Sequence, residues 1–351
     1  MPRTDSCSHR ARPLLPLVSL AALGLVVSLA RPAAAVSPVP TDVPGLRLPS
    51  SPVTATIEPG SDAVFNMNLG AGDIFTANLS AGGGTDLDLY LFPPGSTSAQ
   101  GTDFVASAET TSYPEVLSYV VPANTAGTYY LDVYAFSGSG DFSFTWNCVR
   151  NTVPRISATK RIVRWGGSSS IVVGLKNSIG VPVSAATATV ESCYDGVTWK
   201  DYRAVKTSAS GIATLSVTPT RRTYYRVRFD GIATQQRCQS GAVSVTPKLG
   251  LGTPVAPAEM TSGRAYSIQG SLRPRQTPGW TEVRIRVYHY ENGAYVYKDT
   301  FTTKAYDNST HSVYRGTVTL STRGSWKLRA YTRNLDKYAS TLSAADTVIV
   351  P

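Results

Sequence analysis

Between residues 54 and 150, apolar and polar positions alternate with a period of two in short runs, at 65–69, 74–79, 87–92, 116–121, 129–134 and 142–146. Successive side chains of a strand point to opposite faces, so this alternation predicts strands that each lay one face on a core. Clusters of Gly, Ser and Pro separate the runs and supply the turns. The spacing predicts an antiparallel β-sandwich. The pattern returns downstream in 155–163, 170–175, 187–193, 199–206, 212–217, 224–229 and 242–246. It returns a third time in 270–275, 281–290, 295–303, 313–320 and 324–330. Asp195-Gly196 and Asn292-Gly293 sit where two-residue hairpin turns are expected. The second and third stretches read as a diverged repeat: a hairpin, a Gly-led strand, then a strand rich in aromatic residues and Arg.

Ahead of these strands, Arg3, His9, Arg10 and Arg12 precede an apolar stretch at 14–29, and Ala33-Ala34-Ala35 offers an A-x-A cleavage site. This order predicts a secretory signal peptide. The apolar core contains Pro16 and is shorter than the ~20 residues a membrane span needs, so no transmembrane segment is expected after cleavage. Removing 35 of 351 residues leaves 316, enough for about three domains. The expected organisation is a signal peptide at 1–35, a Pro/Ser-rich linker at 36–52, and sandwiches at 53–150, 151–248 and 249–351.

Within the first sandwich, Gly72-Asp73-Ile74-Phe75, Asp86-Leu87-Asp88-Leu89-Tyr90-Leu91, Gly127-Thr128-Tyr129-Tyr130-Leu131-Asp132-Val133 and Gly138-Ser139-Gly140-Asp141-Phe142-Ser143-Phe144 follow one another. In that order they resemble the bacterial pre-peptidase C-terminal domain. The resemblance implies a small jelly-roll-like sandwich that accompanies secreted proteases and other exported enzymes, some relatives binding matrix or polysaccharide. The chain has no protease domain for it to accompany. Asp195-Gly196-Val197-Thr198-Trp199 and Thr223-Tyr224-Tyr225-Arg226-Val227-Arg228-Phe229 resemble bacterial Ig-like surface repeats, as do, less closely, Gly270-Ser271-Leu272-Arg273-Pro274-Arg275 and Gly324-Ser325-Trp326-Lys327-Leu328-Arg329-Ala330. The expected fold class is therefore all-β: three tandem antiparallel β-sandwich domains, one jelly-roll-like and two Ig-like, after a signal peptide.

Composition narrows the chemistry. Tyr is common (19) and Met rare (3), as in extracellular β proteins; His (3) and Cys (4) are too few to favour a metal cluster or a histidine-activated nucleophile. No Gly-x-Ser-x-Gly elbow occurs in a strand-to-helix context. No cofactor is expected. Export permits a disulfide among Cys148, Cys193 and Cys238. Cys193–Cys238 is the simple same-domain pair, but strand order puts these two at opposite poles and favours Cys148–Cys238, which would stiffen the first domain boundary. Charge is divided along the chain. Residues 36–150 hold 11 Asp and Glu against 2 Arg, a net of −9, whereas residues 151–351 hold 27 Lys and Arg against 11 Asp and Glu, a net of +16. Such asymmetry steers partners, or simply keeps an exported protein soluble. Outside a cell, the partners that fit are wall polyanions and acidic polysaccharides, or another secreted protein; nucleic acid is set aside.

The sharpest constellation lies in the third sandwich. Around the Asn292-Gly293 turn, Tyr290 should face Tyr295, Tyr288 should face Tyr297, and Arg286 should face Asp299. Alternation sends Val283, Ile285, Val287 and His289 inward, and Arg284, Arg286, Tyr288 and Tyr290 outward. Lys327, Arg329 and Tyr331 point outward from a neighbouring strand. Tyr stacks on sugar rings, and Arg grips phosphate or carboxylate, so Arg284, Arg286, Tyr288, Tyr290, Tyr295, Tyr297, Arg329 and Tyr331 are the candidate ligand surface. The same residues also read as cross-strand packing worth roughly 0.2–1 kcal/mol per pair. In the first sandwich, Asp86 and Asp88 are weak Ca²⁺ candidates, with Asp73, Asp103, Glu109 and Glu115 as further oxygen donors. Asp88 with Glu115 is a weaker candidate for a hydrolytic carboxylate pair.

Overall fold

In the computed structural model, residues 34–36, 38–308 and 310–351 are described, and the leader expected at 1–35 lies almost wholly outside them. These residues form an all-β chain with three large hydrophobic cores and a small fourth cluster of Val64, Phe92 and Ala99.

The first core is closed by two sheets. One runs Ala34–Ala35, Val53–Ile57, Gly140–Val149, Ile74–Ala81, Glu115–Val120; the other runs Leu46–Arg47, Asp62–Leu69, Gly127–Ser137, Asp86–Phe92, Ala106–Ala108. Inward residues such as Phe65, Phe75, Leu89, Leu131 and Phe144 are fully buried between them. The Pro/Ser-rich segment expected as a linker is part of this unit. Leu46–Arg47 pairs in parallel with Phe65 and Asn66, and Val39, Leu46 and Leu48 pack on the core.

In the second unit, the opening stretch expected as one strand divides. Thr152–Ala158 pairs with Ser169–Asn177 in one sheet, while Ile162–Val163 crosses to the other and pairs in parallel with Thr246 and Pro247. In the third unit, the 15-residue strand Ala294–Asn308 pairs along its first part with Glu282–Glu291 and at its end with His311–Thr319, so one long strand joins the two layers. Asn292 and Gly293 have φ of 51° and 85°, the left-handed pair that a tight hairpin of this twist requires. Gly270 is needed for another reason: an added Cβ would lie 2.1 Å from the hydroxyl of Tyr314, which is fully buried and donates to the Gly252 carbonyl at 2.9 Å.

The expected disulfide does not form, and Cys148, Cys193 and Cys238 are all free. Register explains the same-domain pair. Cys193 is opposite Tyr224 and Cys238 opposite Phe229, on opposite sides of the strand Thr223–Phe229. Five residues at about 3.3 Å each, before the width of the strand is added, already exceed the ~7 Å limit between Cα atoms. Cys148 faces the first core, whereas its connection to the second unit runs through a parallel bridge between Arg150 and Gln235, which sets Cys148 and Cys238 in opposite directions from the bridge. Burial also pushes the Cys148 and Cys238 thiols up to about 11, away from the reactive thiolate.

A carboxylate does what the disulfide was expected to do. Asp73 is completely buried at the first boundary. Its Oδ2 accepts from Gly70 N at 2.8 Å and Arg150 Nη1 at 2.6 Å, and its Oδ1 accepts from Asn151 N at 2.8 Å and Ser178 Oγ at 2.5 Å. Gln236 adds donations to the Gly72 and Val149 carbonyls at 2.6 and 3.1 Å. Asp73 therefore belongs to the junction and not to the acidic group around Asp86 and Asp88. At the second boundary Trp165 packs on the third core, and Arg222 N donates to the Lys337 carbonyl at 2.8 Å.

Candidate functional site

The third unit builds its outward face from two hairpin strands and their neighbours. Glu282–Glu291 buries Val283, Ile285, Val287 and His289 and turns Arg284, Arg286 and Tyr288 to a half-buried outer surface, with Tyr290 exposed at its end. Gly324–Thr332 buries Trp326, Leu328 and Ala330 and turns out Lys327, Arg329 and Tyr331. The two strands are hydrogen-bonded neighbours, with Tyr288 opposite Lys327, Arg286 opposite Arg329 and Arg284 opposite Tyr331.

The hairpin register matches the expectation at Tyr290–Tyr295 and Tyr288–Tyr297, and differs at Arg286, which faces Thr300. A bulge between Val287 and Tyr288 is the cause: Val287 pairs with Asp299, Tyr288 with Tyr297, and Lys298 is the extra residue. Asp299 thus turns off the face, where its Oδ1 accepts from Thr300 N at 2.6 Å, and the face loses the one carboxylate expected to neutralise Arg286.

All eight candidate residues share this face. Tyr288 meets Tyr297 edge to face at 5.8 Å, and Tyr290 meets Tyr295 at 5.1 Å. The Arg286 guanidinium lies 3.7 Å above the Tyr331 ring, and the Lys327 ammonium 3.9 Å above the Tyr295 ring. Arg329 donates through Nε to the Ser343 carbonyl at 2.9 Å, and Arg284 pairs with Glu282 at 2.7 Å. Like charges directly opposite one another in a sheet are unfavourable, and Arg286 faces Arg329 with no carboxylate of the described residues bound to either. Tyr297 and Tyr290 remain 53% and 48% exposed, so half of each ring is free to contact a partner.

Tyr288, Tyr295, Lys327, Arg329 and Ala345 line a depression of about 370 Å³. Ala345 is the member that alternation did not reveal. It stands opposite Arg329 on Thr341–Val350, and its small side chain leaves the floor open. The strand that carries it lies beyond residue 330, where the last alternating run read from the sequence ends. The arrangement offers ring faces for stacking and two cations for an anionic oxygen.

His289 holds the strand end in place. Its Nδ1 lies 2.8 Å from Glu291 Oε1, its Nε2 2.9 Å from the Arg323 carbonyl, and its ring 4.6 Å from that of Trp326.

The acidic candidates separate. Among the described residues, no group of three or more His, Cys, Asp and Glu could hold a metal ion. Asp103 accepts from Ser96 Oγ at 3.0 Å, and Glu115 Oε1 is taken by the Thr110 backbone N–H and hydroxyl. Glu115 Oε1 thereby closes a turn. Asp88 is buried; desolvation, then repulsion from Asp86, pushes its carboxyl up to about 6. Asp132 and Asp62 are raised as well, burial again being the largest cause. A carboxyl raised in the fold stabilises below its unfolded value near 4, and that stability is lost as pH rises through the folded value. Warming the protein at pH 5 and at pH 7 should therefore show the first unit melting higher at pH 5. After allowance for solvent at the strand end, the gain is about 1 kcal/mol, or roughly 5 °C. A melting point that rises from pH 5 to pH 7 would contradict this.

Residues 62–135 match the bacterial pre-peptidase C-terminal domain family, on the stretch where the sequence motifs resembled it. No curated protein matches the chain. Among solved structures, the Aeromonas hydrophila PliG, a periplasmic inhibitor of g-type lysozyme, is 12% identical; the match covers 28% of this chain and 84% of that one, with a TM-score of 0.24. The C-terminal 282-residue fragment of intimin, solved in complex with the intimin-binding domain of its translocated receptor, is 14% identical, covering 56% and 63%, with a TM-score of 0.32. A DUF4785 family protein from Legionella pneumophila is 9% identical, covering 86% and 94%, with a TM-score of 0.36. None of these structures reaches a TM-score of 0.5, and none bears on what the chain binds. No helix among the described residues is long and apolar enough to cross a membrane.

Proposed function

We propose that this is an exported, non-catalytic binding protein whose third unit holds an anionic, sugar-containing polymer of the cell envelope. The observation that carries the reading is the opposition of Arg286 and Arg329 beside the Tyr288–Tyr295–Lys327–Arg329 depression, with no carboxylate on the guanidinium pair. A phosphate or carboxylate there relieves the repulsion, while the tyrosine faces take the apolar side of a sugar ring. The net +16 of residues 151–351 supports the same reading through longer-range attraction.

The mature protein should be retained by immobilised anionic wall polymer and by acidic polysaccharide. Retention should weaken as salt rises to 0.15 M, where exposed charges are screened beyond ~8 Å. Retention on neutral glycan alone, independent of salt, would replace the charge reading by pure stacking. A second reading, that the chain accompanies a secreted peptidase, has its support in the 62–135 family match. It requires a stable complex with such an enzyme at physiological salt.

A further inference from the structure

A cavity lies on the first unit, on the side of the sheet away from its core. Leu131 and Val133 enter the core between the sheets, so Asp132 points to the opposite face, between Val64 and Tyr90 of the flanking strands. That face is roofed by the long loop 93–105, which is fixed in place. Asp42 Oδ1 accepts from Ala99 N at 2.7 Å, its Oδ2 accepts from Ser98 Oγ at 3.2 Å, Gln100 Nε2 donates to Asp62 at 3.2 Å, and Val105 N donates to the Leu91 carbonyl at 2.7 Å. Under the loop, Phe104 packs 5.0 Å from Tyr90 and 6.2 Å from Phe92. A cavity of about 490 Å³ remains, with Asp62, Asp132, Tyr90, Phe92, Phe104 and Tyr134 in its walls.

Asp132 is 1% exposed, and its Oδ1 accepts no hydrogen bond. A buried carboxyl oxygen without a donor is costly and is rare in a folded protein. Burial, then the neighbouring Asp62, raises the Asp132 carboxyl well above its usual range. Among the described residues, no Lys or Arg lines the cavity. Residues 36–150 contain no Lys and only Arg47 and Arg150, and Arg150 is bound to Asp73.

We propose that this cavity binds a small organic cation, an alkylammonium group such as a lysine side chain presents. The ammonium supplies the donor that Asp132 Oδ1 lacks, beside the Asp62 carboxyl, and its alkyl stem and charge lie against the faces of Tyr90, Phe104 and Tyr134. The net −9 of residues 36–150 draws cations to this unit. A neutral sugar would satisfy the rings but leave the acid pair uncompensated. The site is independent of the third-unit face.

The test is calorimetric titration of the full mature chain at pH 7 with n-butylammonium, with n-butanol as the neutral match and cellobiose as the sugar. The expected result is saturable binding of butylammonium, with butanol and cellobiose weaker by roughly tenfold or more. Asp132→Asn should weaken butylammonium by a similar factor. Phe104→Leu, which leaves both acids in place, should weaken it by about threefold or more with the melting of the second and third units unchanged. If Asp132→Asn fails to fold, Phe104→Leu decides. Equal binding of butanol, tighter binding of cellobiose, no saturable binding of butylammonium, or butylammonium binding unaffected by Phe104→Leu would overturn the proposal.

Discussion

Replacing Asp73 with Ala will destabilise the junction between the first two units by about 3–5 kcal/mol, the range for removing one partner of a buried ion pair. The change removes one side chain but strips five donors of their acceptor: the Arg150 guanidinium, the Gly70 and Asn151 N–H groups, the Ser178 hydroxyl and, more weakly, the Cys148 thiol. Two of them, Asn151 and Ser178, lie past the end of the first sandwich, so the loss falls on the contact between units. Space at the contact is tight as well, since a Cβ on Gly70 would meet Ser178 Cβ at 2.4 Å. Calorimetry should show the first two transitions falling and moving apart, and limited proteolysis should open the chain near residues 150–152. Unchanged melting, or a fall confined to the third unit, would refute the role given to Asp73.

Trp326→Ala should cost the third unit about 3–5 kcal/mol, the usual range for truncating a buried aromatic side chain. The indole is 5% exposed, packs on His289 at 4.6 Å and donates through Nε1 to the Thr322 carbonyl at 2.9 Å. Its loss opens a cavity beneath the strand that carries Lys327 and Arg329, and frees the ring that orders His289. The third transition should drop by roughly 15 °C or more, with the first two nearly unmoved. A drop below about 3 °C would mean that the strand is held from its outer face instead.

The alternation of the third unit carried more functional information than its motifs did. Inward Val283, Ile285, Val287 and His289, and outward Arg284, Arg286 and Tyr288, follow from period two alone, because one face of the sheet is buried along its length. The bulge at Val287 was not legible. Nothing in Tyr297-Lys298-Asp299 announces an extra residue, yet that residue turns Asp299 away from the face and leaves Arg286 without an acid. Two further features were hidden by distance along the chain. Asp73 stands at a sequence separation of 77 from Arg150 and 105 from Ser178, so its part in the junction could be seen only once the two units were in contact. At Asp132 the alternation of 129–134 records which face a residue takes, but not that the loop 93–105 returns to cover that face. The cysteines failed for a related reason: their poles could be assigned from strand order, but not the direction in which the bridge at Arg150 carries them apart.

The outward face of the third unit is tested by equilibrium binding of anionic wall polymer to the protein and to the double variant Arg286→Ala with Tyr288→Ala. Both side chains are only half-buried on the outer surface, so the pair should cost no more than about 1 kcal/mol of stability each. The third unit of the double variant should keep its melting temperature within a few degrees while polymer affinity falls by roughly tenfold or more. Undiminished retention by the correctly folded double variant would contradict it and reduce the face to a packed sheet surface.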